Sequence, residues 1–172
     1  MQRAAVSDEL VPEEADVLAR VADLPVDLAA MAVAQNVWRA AQALRAHLER
    51  TVLRAEGLSW GGFSVLFNLW VWDGMETRAL AESMGVSRPT VTGLVDTLER
   101  GGLVERCGDA RDRRLVSMSL TDAGRRTIED LFPRFNSGEA TLVAGLDDDE
   151  KATLARLLRR IVLNAKERAD DE

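Results

Sequence analysis

The chain has 172 residues, a length that fits one domain large enough to bury a hydrophobic core. Its net charge of −7 does not suit a protein that binds polyanions through its overall charge. A single cysteine excludes an intramolecular disulfide framework, and no apolar run reaches 18 residues, so we expect a cytoplasmic protein without a transmembrane helix.

Residues 1–24 are predicted to form an acidic N-terminal arm. Four acidic residues lie between positions 8 and 14, where a signal peptide would carry a basic region and then an apolar block. We therefore expect no signal peptide. The arm is either mobile or contains a short helix over residues 13–21, and the sequence assigns it no role.

Residues 25–57 are predicted to form a long first helix, which is part of a dimerisation region. Pro25 suits its first turn, where the missing N–H has no partner to lose. The helix is expected to continue to about Glu56 before Gly57 ends it. Its apolar residues cover more than one stripe, so it is expected to contact both its own core and a second subunit.

A third unit is predicted over residues 58–126, and it begins with an apolar helix. Ser59 is the expected N-cap, and an Asp73-Gly74 turn ends the helix. Gly61 and Gly62 lie near its start and favour close packing against a neighbouring helix.

Two short helices and a tight turn follow. Thr77 is the expected N-cap of the first helix, and Gly85 the left-handed residue after its last turn. Ser87 then caps a second helix with Pro89 in its first turn. The apolar side of this second helix is formed by Val91, Leu94, Val95 and Leu98. Two helices joined by a three-residue turn that contains glycine are typical of a helix-turn-helix.

The start of the second helix carries small side chains and hydrogen-bond donors. Short side chains allow a helix backbone to approach base edges in a major groove, and the helix N-terminus favours phosphate. The alternative is an ordinary capped helix whose hydroxyls are merely solvated. The candidate DNA contacts here are Ser87, Arg88, Pro89, Thr90, Thr92 and Gly93.

A two-strand hairpin is predicted next, with strands over residues 103–107 and 115–120. The sequence GDARDRR between them places arginines at the hairpin tip, where they can reach a narrow minor groove beside the helix. The carboxylates would orient the guanidinium groups, whereas an isolated loop of this kind would be a solvated turn. The candidate residues are Asp109, Arg111, Asp112, Arg113 and Arg114.

The charge distribution is consistent with this interpretation. Residues 77–126 contain nine arginines and seven acidic residues, a local charge of +2, so the rest of the chain carries −9. Local placement of charge, rather than the total, decides phosphate binding. The acidic remainder would discourage non-specific contact with DNA.

Residues 127–172 are predicted to form C-terminal helices of the dimerisation region. Thr121 is the expected N-cap of the helix that leads into them, and Pro133 is expected to kink or break this helix near Phe132. Asp147 and Glu150 form the capping box of the last helix, which is amphipathic. We expect this helix to pair with the first long helix in a dimer, although it could instead pack on its own domain.

The stretch SMGVSRPTVTGLVDTLERGGLVER, followed by DARDRRLVSMSLTDAG, resembles the winged helix-turn-helix of MarR-type (multiple antibiotic resistance regulator) transcription factors. The flanking helices agree in length and order. The resemblance implies a mainly α fold with a small β-hairpin wing and flanking dimerisation helices. It also implies a homodimer on a pseudo-palindromic double-stranded DNA operator, with Arg111 in the minor groove and Asp109 positioning it. We expect a repressor.

Members of this family often bind small aromatic or phenolic acids between the dimerisation helices and the DNA-binding unit. The resemblance therefore implies a ligand of this kind. From the placement of the tryptophans and arginines on these helices, we hypothesise that the ligand's anion lies near Trp38 with an arginine partner. Tryptophans at helical spacing are also typical of a core, and a ligand-independent regulator is the alternative. The candidate pocket residues are Trp38, Arg39, Arg45, His47 and Trp70.

Two departures narrow the subfamily. Peroxide-sensing relatives carry a reactive cysteine near the start of the first helix, whereas Cys107 lies on a predicted wing strand. The urate-responsive branch uses an aspartate and an arginine at positions that align here with Ser64 and Gly93, so urate sensing is not expected.

Catalysis is not expected. The single histidine and single cysteine form no nucleophile–base set, no metal-ligand cluster is present, and no cofactor is predicted. A competing hypothesis is a protein-binding adaptor that uses the winged unit, and the arginine-rich tip argues against it.

Overall fold

The computed structural model describes residues 10–108 and 116–170. The predicted fold class is confirmed, since the chain is mainly helical with one small antiparallel sheet. The helices are α1 (Pro12–Val21), α2 (Leu28–Thr51), α3 (Trp60–Trp72), α4 (Thr77–Met84), α5 (Arg88–Arg100), α6 (Asp122–Leu142) and α7 (Asp148–Asp170). The strands are β1 (Met75–Glu76), β2 (Val104–Gly108) and β3 (Val116–Leu120), and a 3-10 helix spans Leu53–Glu56.

The chain divides into two compact units. One contains Met1–Val37 together with Glu139–Glu172, and the other contains Trp38–Gly138. Every apolar side chain that is buried in the described residues belongs to the second unit, from Leu48 to Phe135. The second unit therefore holds the hydrophobic core, which α3, α5 and the sheet share with α2 and α6.

The first unit contains α1, the start of α2, the end of α6, and α7. Glu14 of α1 is its one buried polar side chain among the described residues, and the Asn36 side chain of α2 donates a hydrogen bond to it at 2.9 Å. The predicted short helix in the arm is confirmed as α1. None of the described helices is long and apolar enough to cross a bilayer.

The start of α2 differs from the prediction. Pro25 was expected in the first turn, but the helix begins at Leu28 because the Asp27 carboxylate accepts the N–H of Ala30 at 2.9 Å. The predicted end of the helix is also different. Thr51 ends α2, a 3-10 helix follows, and Gly57 closes it with a φ of +66°.

Pro133 was expected to kink or break the helix, and of these two outcomes the break does not occur in α6. The helix runs continuously through it, with the proline ring exposed to solvent. Leu131 and Phe135 are buried on either side, so packing holds the helix together where one backbone hydrogen bond is lost.

The three-stranded sheet has the order β1-β3-β2, and all its pairs are antiparallel. Strands β2 and β3 form the predicted hairpin, although β2 begins one residue later than expected. Strand β1 was not predicted. Asp73 and Gly74, with φ values of +51° and +112°, turn the chain so that Met75 pairs with Met118.

Candidate DNA-binding surface

Helix α4 and helix α5 are joined by a turn that depends on Gly85. Its φ of +64° lies in the left-handed region that favours glycine. The N–H of Val86 donates to the carbonyl of Ala81 at 3.1 Å, which closes the end of α4. The predicted turn is therefore confirmed. At the other end of α4, Thr77 is not the N-cap, since it is already helical and Glu76 precedes it in an extended conformation.

The N-terminus of α5 is capped by its own hydroxyl groups, as predicted. The Ser87 Oγ accepts the N–H of Thr90 at 3.3 Å, and the two side-chain oxygens lie 2.8 Å apart. Pro89 follows in the first turn. Ser87, Arg88, Pro89 and Thr90 are all exposed, so the positive end of the helix dipole faces solvent among short side chains.

The next turn of α5 continues this exposed surface. The Thr92 hydroxyl donates to the carbonyl of Arg88 at 3.1 Å. Gly93 is exposed, and a Cβ added there would meet no atom within 4 Å. Packing within the protein therefore does not require glycine at this position. The predicted inward side of α5 is confirmed, since it is buried at Val91, Val95 and Leu98 and partly buried at Leu94.

Helix α5 rests on the N-terminal end of α3. A Cβ at Gly61 would come 2.9 Å from a Leu94 methyl carbon, so the two helices approach closely at this point. The expected role of Gly61 in close packing is confirmed. The Ser59 hydroxyl caps α3 by accepting the N–H of Gly62 at 3.1 Å, also as predicted.

The wing begins directly after α5. Gly102, with a φ of +70°, turns the chain into β2, and β2 pairs with β3 from Val104–Leu120 to Gly108–Val116. The hairpin tip, residues 109–115, lies outside the described residues. The predicted contacts of Asp109, Arg111, Asp112, Arg113 and Arg114 therefore stay predictions.

One residue near this surface was not predicted from the sequence, Arg106 of β2. Its guanidinium group donates to the carboxylates of Asp96 and Glu99, both on α5. The hydrogen bond with Asp96 raises the pKa of Arg106, the nearby charge of Glu99 adds to this, and partial burial opposes it. Asp96 and Glu99 are three residues apart and so share one edge of the helix. This acidic pair is the sequence feature that could have indicated a basic partner on a neighbouring element.

Comparison with known proteins decides the family. The model of the MarR family matches residues 58–116. The HTH-type transcriptional regulator YwaE of Bacillus subtilis (strain 168) is 42% identical over 167 residues, which cover 95% of this chain and 98% of that protein. The chain belongs to the MarR family. It is a DNA-binding transcriptional regulator, and members of the family are not enzymes.

Two further relatives of this MarR-family regulator are informative. The HTH-type transcriptional repressor YetL of Bacillus subtilis is 31% identical over 116 residues, covering 65% of this chain and 68% of that protein. The structure of Bordetella bronchiseptica BpsR, described for the regulation of its DNA binding by 6-hydroxynicotinic acid, superposes with a TM-score of 0.69. It is 25% identical and covers 76% of this chain and 98% of the BpsR chain.

The five predicted pocket residues of the MarR-family chain all lie in the second unit, four on α2 and one on α3. Trp38 is 64% exposed, whereas Arg39 and His47 are half-buried. Arg45 lies 3.4 Å from the Glu49 carboxylate, which also accepts the N–H of Trp60 at 3.2 Å. Arg45 therefore already has an anionic partner within α2.

Trp70, the fifth of these residues, is part of an aromatic cluster. Its ring packs against Phe67 and Phe132 at centroid distances of 6.3 and 5.5 Å. Its indole N–H lies 3.4 Å from the Glu129 carboxylate. These contacts are those of a core tryptophan at the edge of the second unit, and a role in ligand binding stays a prediction. Within the described residues, no cluster of metal-ligating side chains is present.

Proposed function

We propose that this MarR-family regulator binds a pseudo-palindromic operator as a homodimer, represses transcription there, and is released by a small aromatic acid. The observation that carries the DNA-binding mode is the exposed N-terminal half of α5. It combines an exposed helix N-terminus, short hydroxyl side chains and an unobstructed glycine on one surface.

Base readout would come from the exposed turns of α5. Because the Thr92 hydroxyl donates its hydrogen to the Arg88 carbonyl, Thr92 can offer a base its methyl group or an acceptor lone pair. The methyl group of threonine suits the thymine methyl in a major groove. Gly93 would let the helix backbone approach the bases, since nothing within the protein fills that space.

The wing would act beside α5. The β2–β3 ladder ends at Gly108 and Val116, so the two strands lead into the tip that carries the predicted arginines. Arg111 in a minor groove, oriented by Asp109, would add contacts to the flank of each half-site. Phosphate contacts from Arg113 and Arg114 would fix the register.

Dimerisation is supported by α7 and by the unit that contains it. That unit buries no apolar side chain among its described residues. A groove of about 640 Å³ is lined by small and apolar residues of α2 together with Ile161. A second copy of the chain would cover this surface, and its two-fold symmetry would present two recognition helices roughly 10 bp apart. The exposed apolar residues of α7 are Leu154, Leu157, Leu158, Ile161, Val162 and Leu163.

Repression and release by a ligand are supported by relatives. YetL is a repressor, and 6-hydroxynicotinic acid regulates DNA binding by BpsR. In this chain, the exposed indole of Trp38 would stack on an aromatic acid, and an arginine of α2 would pair with its carboxylate.

The test is a gel-shift titration of the full chain with its own upstream DNA, at several salt concentrations, against a scrambled duplex of equal length. We expect tighter binding to the upstream fragment at physiological salt, and a dimer by light scattering. Titration with salicylate-like acids should quench tryptophan fluorescence and release the DNA. Equal affinity for both duplexes would contradict sequence-specific binding. The absence of both quenching and release would contradict regulation by an aromatic acid.

A further inference from the structure

Arg106 joins the wing to the recognition helix α5 through two separate contacts. Its Nη2 bonds to the Asp96 carboxylate and its Nη1 to the Glu99 carboxylate. A guanidinium group is planar and presents its donors in a fixed fork, so this bridge constrains direction as well as distance. The side chain is 33% exposed, so solvent reaches it only in part.

The connection between α5 and β2 is short, and its backbone is hydrogen-bonded to α5, since the N–H groups of Gly102 and Leu103 donate to the carbonyls of Glu99 and Leu98 at 2.9 and 3.0 Å. Only Gly101, Gly102 and Leu103 separate α5 from β2, and Gly102 has a φ of +70°. Val104 anchors the start of the strand, since it is 2% exposed. Arg106 lies two residues further along, on the same face of β2, and fixes the strand at a second point.

We propose that Arg106 is a positioning residue for DNA binding, which holds β2 and α5 in the relative orientation that lets the wing and the recognition helix engage one half-site together. This inference rests on the proposed function, because it takes α5 and the wing to be the two DNA contacts. Both guanidinium arms already bind carboxylates, so Arg106 acts through α5 and not on the phosphates.

A positioning role makes a distinctive prediction. Specific binding requires base contacts from α5 in register with the wing, whereas non-specific binding requires only positive charge near the phosphates. Loss of Arg106 should therefore lower the ratio of operator affinity to random-duplex affinity. Thermal stability should change little, because partly exposed ion pairs contribute little to it.

The experiment uses the full chain, a duplex selected by the unmodified protein from a random-sequence pool, and a scrambled duplex of equal length. Arg106→Ala should lower the affinity ratio roughly tenfold, with nearly unchanged binding to the scrambled duplex. Arg106→Lys keeps the charge and the aliphatic stem but cannot bridge both carboxylates in one plane. Its affinity ratio should therefore lie between those of Arg106→Ala and the unmodified protein. Arg134→Ala is the matched control, since it removes a 2.7 Å ion pair with Glu56 away from α5 and β2, and its ratio should equal that of the unmodified protein.

A double-mutant cycle tests the mechanism directly. In an Asp96→Asn, Glu99→Gln background, Arg106→Ala should leave the ratio unchanged, because the guanidinium has no carboxylates to hold. A full further loss in that background would overturn the proposal. Equal losses on both duplexes, with a salt dependence reduced by about one unit, would also overturn it and indicate a phosphate contact. No operator preference in the unmodified protein would instead contradict the proposed function.

Discussion

The backbone carbonyl of Leu103 lies directly against Gly124, so that a Cβ at position 124 would come 1.9 Å from its oxygen. The same oxygen accepts the N–H of Thr121 at 3.1 Å and cannot turn away without losing that bond. The Thr121 hydroxyl in turn caps α6 by accepting the N–H of Gly124 at 3.0 Å, as the sequence predicted. This contact fixes the start of α6 against the start of the wing.

Gly124→Ala is therefore expected to destabilise the protein by about 2–3 kcal/mol, because a backbone atom must move to admit the methyl group. Urea denaturation followed by circular dichroism measures the change. Gly101→Ala is the matched control, since Gly101 has a φ of −80° and its Cβ would meet no atom closer than 3.4 Å. A Gly124→Ala chain as stable as the control would contradict the close contact.

Gly93→Ala is expected to separate stability from function. Alanine at an unobstructed helix position should stabilise α5 by roughly 0.5–1 kcal/mol. If the helix backbone approaches bases at this point, the added methyl group should weaken operator binding about tenfold, as the loss of one base contact does. Thermal unfolding and gel-shift titration of the same preparation measure the two effects. Gly101→Ala, the control, should leave DNA binding unchanged. Operator binding by Gly93→Ala as tight as that of the unmodified protein would show that the bases do not approach α5 at this position.

Local interactions account for most of what the sequence predicted correctly. The caps at Ser59, Ser87 and Thr121 join residues three positions apart, so residue type and spacing suffice to predict them. The capping box of α7 is of the same kind, since the Asp147 N–H donates to Glu150 and the Glu150 N–H donates to Asp147, each at 2.8 Å.

The features that were missed join different helices and strands. Glu49 accepts the N–H of Trp60 across the bend between α2 and α3, and no local sequence pattern predicts this contact. Strand β1 has only two residues and no periodicity of its own, so it exists because β3 pairs with it. Arg106 belongs to the same group, because its partners depend on the direction in which β2 leaves α5.

The Thr92 side chain allows a test of base readout with two nearly isosteric variants. Thr92→Val keeps a methyl group toward the groove and should retain a thymine preference in a selected half-site. Thr92→Ser removes the methyl group and should reduce that preference about tenfold. Selection from random duplexes followed by sequencing measures both. If the thymine preference were instead lost in Thr92→Val and kept in Thr92→Ser, the hydroxyl group would be the part that contacts the base.

Arg111→Ala tests the predicted wing contact. A minor-groove role predicts a lower affinity for half-sites with A·T-rich flanks and little change for G·C-rich flanks, because A-tracts narrow the groove that attracts arginine. A phosphate contact predicts a uniform loss and a salt dependence reduced by about one unit. Arg134→Ala removes the same charge from α6 and serves as the control for a general electrostatic effect.

The apolar stripe of α7 supplies the test of dimerisation. Leu157 and Ile161 are 41% and 40% exposed in one chain, so the double change Leu157→Gln, Ile161→Gln should leave the core of the second unit intact. It should nevertheless shift the protein toward monomers and weaken operator binding by tenfold or more, roughly the effect of losing one of two half-sites. Light scattering and gel-shift titration measure these outcomes. Arg159→Gln, Lys166→Gln changes the opposite side of the same helix and should preserve the dimer, whereas equal dimer stability in both double variants would place the subunit interface elsewhere.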